Sequence, residues 1–356
     1  MILYIQTAFL GDLLLAAPAL KRLRRLYPRD PIHLLCRKGL GEYFLREGLV
    51  DRVLSDFKGS KPTLGEAKRL FAGCDYHLVI CPHQSVRSSL IAARVTATKK
   101  IGFDSFLNRF IFHETFPRPI KWPETLRQLS LLKNLDGELA RELVTVANRT
   151  APFNEIPEWS SMESANLANR AQFRARLVER AGLDADRLII LLAPGSVWAT
   201  KRWGASKFIE LAEILIERGD QVVLVGSRDE KDLSRFIAER VKEIHDLTGE
   251  TKIAEMIELI AGADAIVCND SGAMHMAALS GTPTVAVFGP TVQSFGYQPW
   301  NHQAKVVENV ELRCRPCSSH GGDKCPIGTH ECMTSIRAST VLQALYGVLQ
   351  KRDVLG

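Results

Sequence analysis

The chain has 356 residues, 46% hydrophobic and 24% charged, a balance typical of folded globular proteins that excludes collagen, coiled coil and disorder. At about 150 residues per domain it holds roughly two domains. No apolar run approaches the 18 or so residues of a membrane-spanning helix, and the segment from Met1 does not read as a secretory signal, because Gly11-Asp12 interrupts its only hydrophobic stretch. A cytoplasmic protein of enzyme size is the expectation.

The net charge of +6 is unevenly shared: residues 1–160 carry 24 Lys and Arg against 16 Asp and Glu, the remainder 22 against 24. A basic first half suits an anionic partner, whether nucleic acid, acidic lipid or phosphorylated sugar; an ordinary solvated surface has the same composition.

In chain order, Ile2–Ile5 reads as a buried strand. A loop from Thr7 to Asp12 then leads into a helix with Leu13, Ala16, Leu20, Leu23 and Tyr27 on one face. Pro18 fits only near that helix's start, or else kinks it. Strands at Ile32–Leu35 and Leu78–Ile80 follow, the latter continuing into a helix at about 85–95. Periodicity fades between Thr145 and Glu163, which marks a linker. Past a helix at about 164–181 the alternation restarts, with strands at Leu188–Leu192, Val222–Val225, Ala265–Cys268 and Thr284–Phe288. Helices lie between them, one carrying Phe208, Leu211, Ala212 and Leu215, another Ile253, Met256, Ile257 and Ile260. This is the pattern of two doubly wound α/β domains, 1–160 and 161–335. A last helix, at about 333–350 within a tail of 336–356, fits against either domain, the N-terminal one included.

Open parallel sheets bind ligands outside the carboxyl ends of their strands. Three loops there stand out. Gln6–Asp12 offers Gly11 for close backbone approach and Asp12 at a helix mouth, where a plain N-cap is the simpler role. No G-x-G-x-x-G occurs there. Ala193–Trp203 offers Ser196, Thr200 and Lys201 as an oxyanion or phosphate cradle; its spacing is not that of a Walker loop, and an exposed Lys-Arg turn is the alternative. Cys268–Ala278 places Asp270, Ser271, Gly272 and Ala273 at the start of a helix, whose amides suit a diphosphate. His275 follows one turn on. Gly289-Pro290-Thr291 is a fourth candidate loop.

Together, Gly11-Asp12 with Pro18, Pro194–Trp203, and Asn269-Asp270-Ser271-Gly272-x-Met274-His275 running on to Phe288-Gly289-Pro290-Thr291 resemble the ADP-heptose:lipopolysaccharide heptosyltransferases over about residues 2–335. The second heptosyltransferase group is the nearer likeness. The resemblance implies a GT-B fold, two Rossmann-like domains facing a cleft, the first binding acceptor and the second the nucleotide-sugar. It implies an inverting transfer of L-glycero-D-manno-heptose from ADP-heptose to the anionic inner core (Kdo-lipid A) at the cytoplasmic face of the inner membrane. Asp12 matches the family's general base and Lys201 its diphosphate lysine. Ser196, Thr200, Ser271, Gly272, Ala273, His275 and Thr248 are expected to serve the donor, with Asp270 holding sugar hydroxyls or orienting the loop. Thr7, Gly11, Lys21 and Arg24 are expected on the acceptor side. No catalytic metal or cofactor is implied.

Cys314, Cys317, Cys325 and Cys332 gather half of the eight cysteines, with His320 and His330 among them. Structural zinc, a disulfide pair and reduced thiols are all compatible with that spacing. Other readings are a relative with a different nucleotide-sugar or acceptor, or a basic nucleic-acid-binding protein with a Cys-cluster metal site. The last wants aromatics interleaved with cations, whereas Lys21-Arg22-x-Arg24-Arg25 alternates with leucines on a helix. That run suits an anionic membrane surface instead.

Overall fold

The computed structural model describes residues 1–55, 69–147, 157, 160 and 169–355. The apolar runs become parallel strands buried on both faces, as sheets covered by helices require. The first compact unit, Met1–Asn154, holds β1 (Ile2–Ile5), β2 (Ile32–Cys36), β3 (Arg52–Ser55), β4 (Tyr76–Cys81), β5 (Ala97–Phe103) and β6 (Glu114–Phe116), ordered β3-β2-β1-β4-β5-β6. The second, Glu155–Gly356, holds β7 (Ile189–Ala193), β8 (Gln221–Leu224), β9 (His245–Asp246), β10 (Ala265–Asn269), β11 (Thr284–Phe288) and β12 (Ala304–Glu308), ordered β12-β11-β10-β7-β8-β9.

Read from its other edge, the second order repeats the first. In each unit the opening strand pairs with the second strand on one side and the fourth on the other. The winding therefore reverses between β1 and β4, and between β7 and β10. Loops leaving those strand pairs splay apart and leave a crevice at the carboxyl edge.

The helix expected from Leu13 onward is two helices, Leu10–Leu14 and Ala17–Leu26, with Pro18 in the first turn of the second. Proline has no N–H to donate and its ring clashes with the carbonyl four residues back, so the chain breaks there. Leu78–Ile80 belongs to the fourth strand of its sheet, not the third. The last helix, Ala338–Leu355, buries Val341, Leu345 and Val348 in the core formed by Leu192, Val267, Val287 and Phe208. It is part of the second unit. The helix predicted from residue 164 is observed as Arg170–Ala181; its first residues, and most of the predicted linker, lie outside the described residues. No helix among the described residues is long and apolar enough to cross a membrane.

Candidate active site

In the first unit the loop after β1 is pinned from several sides. Thr7 Oγ1 meets His83 Nδ1 at 3.1 Å and Ser88 Oγ at 2.7 Å, and His83 Nδ1 lies 2.9 Å from Ser88 Oγ. His83 leaves the end of β4, so this cluster bridges the two strands at the switch point. Arg37, just past β2, donates to Thr7 O at 2.9 Å and stacks on the Phe9 ring. Gln128 Nε2 donates to Asp12 O at 2.9 Å while its Oε1 accepts from Tyr4 OH. The backbone on either side of Gly11 is thereby fixed. Asp12 stands half-buried in the first turn of Leu10–Leu14, where a helix end favours a carboxylate.

In the second unit the loops after β7, β10 and β11 converge. Asn269, fully buried, accepts from Trp203 N and donates to Pro194 O, so it stitches the loops together. Lys201 Nζ lies 2.6 Å from Asp270 Oδ2, and Thr291 Oγ1 donates to the same oxygen at 2.6 Å. Both members of this ion pair are largely buried, and the contact fixes where the lysine head sits. Ser196 Oγ donates to Asp270 O at 3.4 Å. Ser271 opens the helix Gly272–Ser280 in extended conformation without capping it through its side chain, so the first amides are left for a ligand. His275 is buried beside Asp270 and Lys201, and its Nδ1 has no hydrogen-bond partner among the described residues. A Cβ at Gly195 would come within 1.8 Å of Glu230 Oε1, so the Glu230 side chain fills the space beside this glycine.

Lys201, Asp270, Ser196, His275 and the amides of Ser271, Gly272 and Ala273 are therefore brought together. Thr291, from the fourth candidate loop, joins them through Asp270, and Glu230, which the sequence did not single out, lies against Gly195. Two hydroxyls expected to serve the donor are bonded within the unit. Thr248 Oγ1 is buried and donates to Ser234 Oγ at 2.8 Å. Thr200 Oγ1 is bound to Gly322 at 2.8 Å. Each satisfies a buried polar group locally.

The basic run also differs from expectation. Arg22 is buried against Asp136 and Glu138, and Arg25 pairs with Glu138. Arg24 bonds Asp51 Oδ2 and Asp30 O; Asp51 Oδ2 also accepts from Ile32 N, which puts Arg24 at the amino end of β2, opposite the Thr7 loop. Lys21 shares the helix Ala17–Leu26 and is likewise engaged. Arg22, Arg24 and Arg25 are thus paired with acids of their own unit rather than presented as an open run.

Burial lowers the pKa of both site histidines to about 4. For His83, Arg37 and Arg118 add to the effect; for His275, Asp270 opposes it and Lys201 adds. Unfolded histidine titrates near 6.5, so below that pH the unfolded chain takes up protons that the folded one refuses. Stability should be full above about pH 6.5 and fall as pH drops toward 4, with a slope approaching ~1.4 kcal/mol per pH unit for each histidine. Urea midpoints between pH 7 and 4.5 check this; His83→Gln should flatten the dependence.

The profile of glycosyltransferase family 9 (heptosyltransferase) matches residues 66–324. Lipooligosaccharide heptosyltransferase 2 of Campylobacter jejuni is 25% identical over 96% of both chains. Lipopolysaccharide heptosyltransferase 2 of Salmonella typhimurium is 34% identical over 48% of this chain and 50% of its own. Among solved structures, the Escherichia coli ADP-heptose LPS heptosyltransferase II superposes with a TM-score of 0.76 at 23% identity, covering 99% of each chain. Its two doubly wound units are the GT-B fold. The chain belongs to glycosyltransferase family 9, the heptosyltransferases.

Proposed function

We propose that the protein transfers L-glycero-D-manno-heptose from ADP-heptose to the inner core of lipopolysaccharide with inversion, as a heptosyltransferase II would. The first unit takes the acceptor and the second the donor. The observation that carries this reading is the junction of the Lys201–Asp270–Thr291 cluster with the helix start at Ser271–Ala273, which Ser271 does not cap through its side chain, a donor-rich end of the β7–β10 crevice. It suits a diphosphate leaving group, because fixed donors stabilise charge that develops on departure. Asp270 orients Lys201, and His275 is held neutral as a hydrogen-bonding neighbour. Asp12 takes the acceptor hydroxyl's proton as the oxygen attacks the anomeric carbon. On the acceptor side the Thr7–Gly11 loop works with Arg37 and His83 in place of Lys21 and Arg24.

The acceptor is lipid-borne, so the reading puts the protein at the cytoplasmic face of the inner membrane. The exposed Phe106 and Phe110, edge to face at 5.7 Å, supply an apolar contact that the neutralised basic run does not.

A structural metal on Cys314, Cys317, Cys325 and Cys332 fits poorly. Three of these line one cavity with His330, yet the Cys317 thiol donates to Cys314 O, and among the described residues no group of three or more such side chains is arranged to hold an ion. No step is routed through one.

The test incubates purified protein with ADP-heptose and heptosylated Kdo-lipid A, beside a UDP-sugar panel. ADP release with ADP-heptose alone among the donors, undiminished by excess chelator, is the expected result. Preference for another nucleotide-sugar overturns the donor assignment. A rate that collapses with chelator overturns the metal-free cradle.

A further inference from the structure

The Cys-rich segment takes no part in the chemistry above, yet it is bonded to the residue next to Lys201. Thr200 N and Oγ1 both donate to Gly322 O, at 3.0 and 2.8 Å, and Gly322 N donates back to Thr200 Oγ1 at 2.9 Å. His330 Nε2 donates to Thr200 O at 2.7 Å. Trp198 stacks on His320, ring centroids 4.9 Å apart and 8° from parallel. Gly321, at φ +90°, lies against the lysine stem, where a Cβ would stand 3.2 Å from Lys201 Cγ and Cε.

His330 makes its bond from an unusual backbone. It sits at φ +50°, ψ +26°, and only Glu243 among the other described non-glycine residues also has positive φ. That left-handed region is unfavourable for residues with a Cβ and persists where surroundings require it. Here the conformation precedes the short helix Glu331–Thr334, turns the imidazole onto Thr200 and lets His330 N donate to Cys325 Sγ. A loop that merely filled space would accept glycine or asparagine at this point without loss.

We propose that His330 is a positioning residue for Lys201: by holding Thr200 O, and with Gly322 holding the rest of Thr200, it fixes the turn that presents the lysine to the donor diphosphate. The segment 314–332 is then the outer wall of the donor pocket. The inference rests on Lys201 meeting the donor, as proposed above, but the clamp itself can be read without any substrate.

His330→Gly relieves the left-handed backbone and removes the imidazole, so melting temperature should hold or rise. Amide hydrogen exchange across 198–202 in the ligand-free protein should nevertheless accelerate about tenfold, the scale of one lost net hydrogen bond. The KM for ADP-heptose should rise by a similar factor of about ten while that for acceptor stays put. His330→Gln, which keeps an N–H at comparable reach, should restore much of both. Unchanged exchange in His330→Gly overturns the proposal, and so does a lowered melting temperature that accounts for all the acceleration. Accelerated exchange in a protein whose wild type does not use ADP-heptose upholds the clamp and sinks the functional reading instead.

Discussion

Asp12→Asn should cut turnover by orders of magnitude while leaving donor binding intact. The substitution keeps size and shape, and the backbone around it is held by groups the change does not touch: Gln128 on the Asp12 carbonyl, Arg37 on the Thr7 carbonyl, and the Thr7–His83–Ser88 cluster beyond. What disappears is the capacity to accept a proton. A positioned general base contributes about 10²- to 10⁴-fold, so turnover should fall by that range with ADP affinity unchanged. The pH–rate profile should lose its acidic limb in whatever activity remains, since that limb reports ionisation of the carboxylate. Asp12→Glu should retain part of the rate with the base displaced by one methylene. Turnover of Asp12→Asn within tenfold of wild type would show that the proton leaves by another route.

Fold class was legible because the interior strands are written in apolar residues. β1, β7, β10 and β11 read from the sequence as Ile2–Ile5, Leu188–Leu192, Ala265–Cys268 and Thr284–Phe288, each within one residue of its observed ends. The four edge strands, β3, β6, β9 and β12, escaped because they are partly exposed, so nothing in the chain forces an apolar pattern on them. β5 was hidden for another reason. Its Lys99 and Lys100 look like surface, yet Lys100 is buried with Nζ donating to Ala92 O at the end of the helix Val86–Ala93.

The site divides along similar lines. Lys201, Asp270 and the helix start at Gly272 were visible because each follows an apolar strand within a few residues. Thr291 meets Asp270 from 21 residues away, and Gly322 and His330 meet Thr200 from 122 and 130. No local pattern encodes such partners. Thr200 and Thr248 show the converse: a hydroxyl in a candidate loop does not reveal its partner, and both bond to neighbours within the unit.

Lys201→Met removes the cation expected to meet the diphosphate and also strands its partner. Asp270 would keep a buried carboxylate with only the Thr291 hydroxyl and weaker neighbours to answer it. Breaking a buried pair from one side costs about 3–5 kcal/mol, whereas removing both charges together is often close to neutral. The single variant should therefore be markedly destabilised, and its loss of activity would be ambiguous between misfolding and missing charge. The double variant Lys201→Met/Asp270→Asn separates them. Denaturation midpoints should return near wild type, because a neutral amide accepts the Thr291 bond without an unmatched charge. Turnover should stay depressed by about 10²- to 10³-fold, the effect of losing one preorganised group at a site of developing charge. ADP should also bind less tightly, and with weaker salt dependence, since a cation has gone. If instead the double variant recovers wild-type turnover, Lys201 exists to neutralise Asp270, and the diphosphate is met by the Ser271–Ala273 amides alone.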